Sequence, residues 1–142
     1  MPNATLDLKT WKFCFGTFQG FDPALDDSRW EVVNDIEKPR GLGHCQGWYR
    51  AEVELPEKVG DFDVAGSKVE FVTNIDDYGE IWVDGQIKAY VAGFNVDQRV
   101  VLTENAQPGA KCLVALLAIN GPLARPGGAI FVRFARLELT KS

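Results

Sequence analysis

The sequence has few of the residues that perform nucleophilic catalysis or hold a soft metal ion. It contains one histidine, His44, and its three serines, Ser28, Ser67 and Ser142, lie outside any G-x-S-x-G turn. His44 and Cys45 are neighbours, and neighbouring side chains of an extended segment point to opposite faces, so they do not form a catalytic pair. The cysteines number three and have no C-x-x-C spacing, which favours free thiols over a disulfide framework and argues against a zinc site.

Long apolar runs and concentrated positive charge are also absent. The longest apolar run, residues 112–119, has eight residues, far short of a membrane span. Residues 1–5 have neither the basic start nor the apolar centre of a signal peptide, so we expect a cytoplasmic protein, or a secreted one whose leader has been removed. The net charge of −5 and the scattered Lys and Arg argue against a nucleic-acid partner, and carbohydrates or other hydroxyl-rich small molecules fit better.

The residues that are present alternate with the period of two that β-strands require. Residues 79–85 alternate cleanly, and their last two, Asp84-Gly85, tolerate the positive φ angles of a two-residue hairpin turn. Residues 86–91 are therefore predicted to pair back on them. Because no helical period is found and the 142 residues suit one domain, residues 1–142 are predicted to form a single all-β domain. The expected architecture is an antiparallel β-sandwich of about eight strands.

The alternation also assigns side chains to a core and to an outer face. The residues predicted to be buried are Trp11, Trp30, Val69, Phe71, Ile81, Val83, Leu113, Ala115 and Leu117. Those predicted to point outward are Tyr78, Glu80 and Trp82, opposite Ile81 and Val83, together with Trp48 and Arg50. A first strand region, residues 6–18, is predicted to place Trp11, Phe13 and Phe15 on one face.

The outward aromatic side chains are the best candidates for ligand binding. Sugars present flat C–H faces that stack on Trp and Tyr, while their hydroxyls hydrogen-bond to Asp, Asn and Arg. The predicted ligand-binding residues are Trp82, Tyr78, Glu80, Asp76, Asp77, Asn95, Trp48 and Arg50. The alternative is that these rings cover the second face of the sheet, or pack against a neighbouring domain or a second subunit.

Oxygen-rich turns leave a structural calcium ion as the one cofactor to consider. Asp22, Asp26 and Asp27 lie in one such loop, and residues 74–77 form another. Asp and Asn are also the ordinary residues of turns, and neither loop has the D-x-D-x-D-G spacing. Asp76 and Asp77 are adjacent in a turn, which explains them better than a pair of glycosidase carboxylates would.

Several motifs together resemble the galactose-binding-like jelly roll, a β-sandwich at the N-terminus of family-two glycoside hydrolases. They are Asp26-Asp27-Ser28-x-Trp30, Trp48-Tyr49-Arg50, Glu54-Leu55-Pro56, Ile81-Trp82-Val83-Asp84-Gly85, Gly93-Phe94-Asn95 and Pro108-Gly109. The chain is also similar to a domain fused ahead of gluconolactonase-like propellers, where Asp76-Asp77-Tyr78 and Asn120-Gly121-Pro122 recur. The resemblance covers residues 10–139 and implies an accessory or carbohydrate-binding module whose catalytic partner is another domain. Related jelly rolls often carry a structural calcium ion.

Three functions follow from these observations. The leading hypothesis is a non-catalytic carbohydrate-binding or accessory module that serves a glycan-acting or lactone-acting enzyme. The second is a structural module that docks or forms a homodimer through Trp82 and Trp48, and the third is a small hydrolase that acts through carboxylates.

Overall fold

The computed structural model describes residues 1–92, 95–121 and 128–141. Its strands are β1 (Ala4–Asp7), β2 (Trp11–Phe15), β3 (Glu31–Val33), β4 (Cys45–Glu54), β5 (Lys58–Val59), β6 (Phe62–Asp63), β7 (Lys68–Asp76), β8 (Tyr78–Val83), β9 (Gln86–Ala92), β10 (Gln98–Thr103), β11 (Lys111–Asn120) and β12 (Phe131–Thr140). None of the described residues belongs to a helix that could cross a membrane. The predicted motif residues Gly93, Phe94 and Pro122 lie outside the described residues.

Two antiparallel sheets form the domain. The larger sheet has six strands in the order β3-β2-β4-β11-β8-β9, and the smaller has four in the order β1-β12-β7-β10. A separate two-stranded hairpin, β5-β6, lies in the connection between β4 and β7. The predicted antiparallel β-sandwich is therefore confirmed.

The strand count exceeds the predicted eight because some predicted regions divide. The region 6–18 is two strands, since β1 pairs with β12 in the smaller sheet and β2 pairs with β4 and β3 in the larger one. Residues 8–10 carry the chain from one sheet to the other, and the apolar side chains change there from even positions, Leu6 and Leu8, to odd ones, a change of phase that a single strand over 6–18 does not account for. Trp11 is buried as predicted and Phe13 is buried with it, whereas Phe15 is half exposed.

The main core fills the space between the sheets. Trp11, Tyr49, Phe71, Ile81 and Leu137 are fully buried there. The Trp11 and Phe71 rings meet edge to face with centroids 6.0 Å apart, a favourable geometry for an aromatic pair.

Strand β11 has the opposite phase to the one predicted. Its core-facing residues are Val114, Leu116 and Ala118, whereas Ala115 and Leu117 are buried on the other face of the sheet. Leu113 is half-buried. Because residues 112–119 are all apolar, alternation carries no information about which side faces the core.

The second face of the larger sheet carries its own apolar group, which we call the outer cluster. It contains the buried residues Trp48, Ala115 and Leu117, with Phe21, Trp30, Tyr78, Trp82 and Ile119 packed against them. The prediction that Trp30 lies in the core is wrong, because its ring is half-buried in this cluster, beside Phe18 at 5.7 Å. The loop formed by residues 16–30 covers part of this face.

The hairpin between β8 and β9 forms as predicted. Asp84 and Gly85 both have positive φ, 49° and 84°, as a type I′ turn requires. Asp84 also fastens the turn to β11, because its Oδ1 accepts a hydrogen bond from the Leu113 N–H at 2.8 Å.

Candidate functional site

Strand β8 presents Tyr78, Glu80 and Trp82 on the outer face of the larger sheet. The Tyr78 hydroxyl donates to Glu80 Oε2 at 2.6 Å, and the Trp82 indole N–H donates to Glu80 Oε1 at 2.8 Å. All three side chains are half-buried, so they keep a surface open to solvent. The prediction that these three side chains share one face is therefore correct. The hydrogen bonds by which Glu80 links the two rings were not predicted.

The hydrogen bond to Glu80 has an electrostatic consequence for Tyr78. Burial raises the pKa of Tyr78 to about 12, and the hydrogen bond to the Glu80 carboxylate, its negative charge and nearby Tyr90 act in the same direction. The phenol therefore stays protonated at neutral pH and remains a hydrogen-bond donor.

Tyr90 is a site residue that the sequence did not reveal. Continued from the Asp84-Gly85 turn, regular pairing would place Ala89 opposite Glu80 and send the Tyr90 ring to the other face. The observed register has a bulge next to Ile81, so that Tyr90 lies directly opposite Glu80. The Tyr90 side chain is 71% exposed, which makes it the open aromatic surface beside the Glu80 carboxylate. Nothing in the sequence of residues 86–92 indicates that the strand contains this bulge.

Trp82 is less open than predicted because Phe21 covers one side of its indole. The two rings are stacked at 3.9 Å with an angle of 11° between their planes. Trp48 approaches Trp82 edge-on, with the centroids 6.3 Å apart. Trp82 therefore anchors the loop 16–30 to the sheet and is only half exposed.

The predicted exposure of Trp48 and Arg50 is wrong, since both side chains are 3% exposed. The Trp48 indole donates to the Phe18 carbonyl at 3.0 Å, and Gly20 lies so close to the ring that a Cβ there would overlap it, at 2.2 Å. The alternative that these rings cover the second face of the sheet applies to Trp48. Alternation cannot distinguish an exposed outer face from one that a loop covers.

Arg50 holds the loop in place. Its guanidinium group donates hydrogen bonds to Asp27 Oδ2 at 2.9 Å and to the carbonyl oxygens of Gly20, Asp22 and Leu25 at 2.7, 2.8 and 3.3 Å. Burial of Asp27 opposes its ionisation, but hydrogen bonds from Lys12 and Arg50 and their charges prevail and lower its pKa. The charged and aromatic residues of this loop thus serve the packing of the outer cluster.

The calcium candidates do not converge. Asp22 Oδ1 accepts from the Ala24 N–H and Asp26 Oδ1 from the Ser28 N–H, both at 2.9 Å, while the Asp27 carboxylate is paired with Lys12 and Arg50. Within residues 1–92, 95–121 and 128–141, no three His, Cys, Asp or Glu side chains are grouped as metal ligands. In the described part of the chain these aspartates act as turn and ion-pair residues.

Asp76 and Asp77 lie where the chain passes from β7 in the smaller sheet to β8 in the larger one. Asp76 forms an ion pair with Arg133 at 3.4 Å, and Asp77 Oδ2 accepts from the Gly121 N–H at 3.0 Å. Burial raises the pKa of Asp76 and the Asp77 carboxylate raises it further, whereas Arg133 opposes the shift. Both carboxylates therefore have partners that fix this crossing between the sheets.

Asn95 belongs to a different group from the aromatic residues. The buried Asn74 amide donates to Asn95 Oδ1 at 3.0 Å and to Asp97 Oδ1 at 2.9 Å. These bonds tie the segment before β10 to β7. The structure therefore separates the predicted site into the β8 face, the covered pair Trp48 and Arg50, the crossing at residues 76–77, and this amide group.

A cleft of about 700 Å³ lies beside the loop, at the end of the larger sheet that is nearer the Asp84-Gly85 turn. Five of its charged lining residues are paired with one another, Lys12 and Arg50 with Asp27, and Lys111 with Glu52 at 3.7 Å, while Asp84 Oδ1 accepts a hydrogen bond from the Leu113 N–H. Among the described residues that line it, Trp11 is the one aromatic, and it is buried in the core. This part of the lining offers no stacking surface, so the β8–β9 face is the better candidate site.

The fold has counterparts among solved glycosidases. The chain matches a glycosyl hydrolase family 2 member from Bacteroides cellulosilyticus with a TM-score of 0.72 and 23% identity, over 97% of this chain and 21% of that one. It matches a β-glycosidase from Bacteroides vulgatus with a TM-score of 0.73 and 19% identity, over 96% and 20%. A Faecalibacterium prausnitzii β-glucuronidase matches with a TM-score of 0.69 and 19% identity, over 99% and 32%.

These matches cover most of this chain but only a small part of each glycosidase. No protein-family model and no curated protein matches the chain. The chain spans about a fifth of the family 2 structure and about a third of the β-glucuronidase. At such identities the likeness establishes the fold. The chain therefore has the fold of a β-sandwich domain that occurs in glycoside hydrolases of family 2.

Proposed function

We propose that this chain is a non-catalytic accessory domain that serves a glycan-acting enzyme and binds carbohydrate on one face of its larger sheet. The binding surface consists of Tyr78, Glu80, Trp82 and Tyr90, which we call the aromatic face. The reaction on the glycan is then catalysed by a partner domain.

The observation that carries the proposal is the position of Tyr90 opposite Glu80. An exposed aromatic ring offers a stacking surface for the C–H face of a sugar, and the adjacent carboxylate accepts hydrogen bonds from sugar hydroxyls. Because Tyr78 and Trp82 already hold Glu80 in one orientation, little side-chain entropy is lost when a ligand binds. The Glu80 carboxylate is thus preorganised to accept hydrogen bonds from a ligand rich in hydroxyls.

The similarity to glycosidases supports the enzymatic context. The glycosidases that the chain resembles are several times longer than the matched region, so most of each protein lies outside this domain. The adjacent carboxylates of Asp76 and Asp77 are held by Arg133 and by the Gly121 backbone. An accessory role accounts for both facts.

The decisive variant for this proposal is Tyr90→Ala. Tyr90 is exposed, so its truncation removes a stacking surface without opening a core cavity, and sugar affinity should fall by about 1–2 kcal/mol. Calorimetric or NMR titration with neutral methyl glycosides measures the loss. Tyr90→Phe keeps the ring and should retain most of the affinity, while Val101→Ala, on the exposed face of the smaller sheet, is a matched surface control. Unchanged affinity in Tyr90→Ala would contradict the proposal.

Self-association is the second candidate, favoured by the position of β9 at the edge of the larger sheet. Ile87 and Tyr90 are exposed on this edge strand, and an open edge can pair with a second copy of the chain. Trp48 is buried and so cannot serve as the dimer anchor that the sequence predicted. Sedimentation of the wild type and of Ile87→Lys tests this candidate, which requires a dimer that the variant dissociates.

A further inference from the structure

The charge on the aromatic face indicates which class of sugar it accepts. We infer that it selects neutral sugars over uronic acids, which carry a carboxylate. This inference rests on the proposed function, because it concerns the ligand of the same face.

Among the described residues of the aromatic face, Glu80 is the ionised group. Its neighbours across β11 are Ala115, Leu117 and Ile119, which are apolar. On β9, the ammonium group of the bulged Lys88 donates a hydrogen bond to Gln86 Oε1 at 3.2 Å. Gln86 pairs with Val83 and so lies on the opposite side of the strand from Glu80.

A buried cation on the same side of the sheet, Arg50, is also paired with other groups. Arg50 lies beneath the loop, bound to Asp27 and to backbone carbonyls. The face as described therefore presents one uncompensated negative charge.

The hydrogen bonds of Glu80 define what a ligand must supply. An ionised carboxylate has about four acceptor positions and no donor. One position on each Glu80 oxygen is taken, by Tyr78 and by Trp82. The remaining positions need donors, which sugar hydroxyls provide and a second carboxylate does not. Two like charges a few ångströms apart at a protein surface also repel, so we expect a uronate to bind at least about tenfold more weakly.

A matched pair of ligands isolates this effect. Methyl β-glucoside and methyl β-glucuronide differ only at C6, which is a hydroxymethyl group in the first and a carboxylate in the second. Titrated at neutral pH and low salt, the wild-type chain should bind the glucoside at least about tenfold more tightly. Raising the salt concentration should narrow the difference, because salt screens exposed charges.

Two variants separate the local charge from the net charge. Glu80→Gln removes the charge on the aromatic face and should reduce the preference to about twofold. Glu104→Gln changes the net charge equally, but it lies just after β10 in the smaller sheet and should retain the tenfold preference. Should Glu80→Gln fail to fold, the salt dependence in the wild type still tests whether the preference is electrostatic, and Glu104→Gln tests whether it follows the net charge.

The outcomes distinguish this inference from the function on which it rests. Equal affinity for the two sugars, weakened alike by Tyr90→Ala, would overturn the charge selection and leave the proposed function in place. Absence of binding to both sugars, or binding that Tyr90→Ala leaves unchanged, would overturn the proposed function and the inference together. A tenfold preference that persists in Glu80→Gln would also overturn the inference.

Discussion

Replacement of Arg50 by Ala should release the loop 16–30 from the larger sheet. Arg50 is the buried donor to Asp27 and to the carbonyls of Gly20, Asp22 and Leu25. In Arg50→Ala these acceptors lose that donor, and a cavity remains beneath the loop.

The size of the effect follows from these bonds. Loss of one partner of a buried ion pair costs about 3–5 kcal/mol, because the other charge stays buried. Asp27 is partly exposed and keeps Lys12 at 3.0 Å, and the loop carbonyls can bind water once the loop moves. We therefore expect the free energy of unfolding to fall by about 3 kcal/mol, near the lower end of that range.

Urea denaturation, monitored by tryptophan fluorescence, measures this decrease in the free energy of unfolding. Release of the loop also removes Phe21 from Trp82, and it makes the bond after Arg29 more accessible to trypsin. Arg50→Lys keeps the charge without the forked geometry, so it should lose about 2 kcal/mol. The matched control, Arg29→Ala, removes an exposed arginine from the same loop and should change stability by less than about 0.5 kcal/mol.

The account of the loop would be refuted by a small effect at Arg50. A loss below about 1 kcal/mol, with unchanged tryptophan fluorescence and unchanged trypsin cleavage, would mean that the loop does not depend on these bonds.

Three further predictions concern stability and titration. Phe71→Ala should lower the free energy of unfolding by about 3–5 kcal/mol, because Phe71 is fully buried between the sheets, and a loss below about 1 kcal/mol would contradict the assigned core. Burial of Glu138 opposes its ionisation, but hydrogen bonds from Arg99 and Arg136 lower its pKa. Glu138 therefore stabilises the fold above its unfolded pKa, and this stability is lost as the pH falls. Glu138→Gln should flatten the fall in stability between about pH 5 and pH 3, and an unchanged pH profile would contradict this. The pKa values of Tyr49 and Tyr78 are raised to about 12, so Tyr78→Phe should remove a phenol that ionises near pH 12 in an ultraviolet titration. Loss of a phenol that ionises near pH 10 would be the contrary result.

The parts of the fold that the sequence predicted are those set by local chemistry. The Asp84-Gly85 turn needs positive φ at two positions, and this residue pair accepts it, so the hairpin could be located from the sequence. Ile81 and Phe71 lie in strands that alternate in polarity, so their burial could be predicted as well. The grouping of Tyr78, Glu80 and Trp82 follows from the same period of two.

The parts that could not be predicted depend on non-local packing. Trp48 and Arg50 point away from the core as alternation requires, but the loop 16–30 covers them, and its course is decided by distant hydrogen bonds. The phase of β11 is hidden because both of its faces are apolar. Tyr90 reaches the aromatic face through a bulge, which changes the register without a distinctive residue.

The most direct test of the central claim is to map where a neutral sugar binds on the isotopically labelled chain. During titration with methyl β-glucoside, we predict NMR shift changes at the Trp82 indole N–H and at the amides of Tyr78, Glu80 and Tyr90. The smaller sheet should show none, and Tyr90→Ala should reduce the changes. Shift changes confined to the crossing at residues 76–77 or to the smaller sheet, or no changes at any sugar concentration, would contradict the claim that the aromatic face binds carbohydrate.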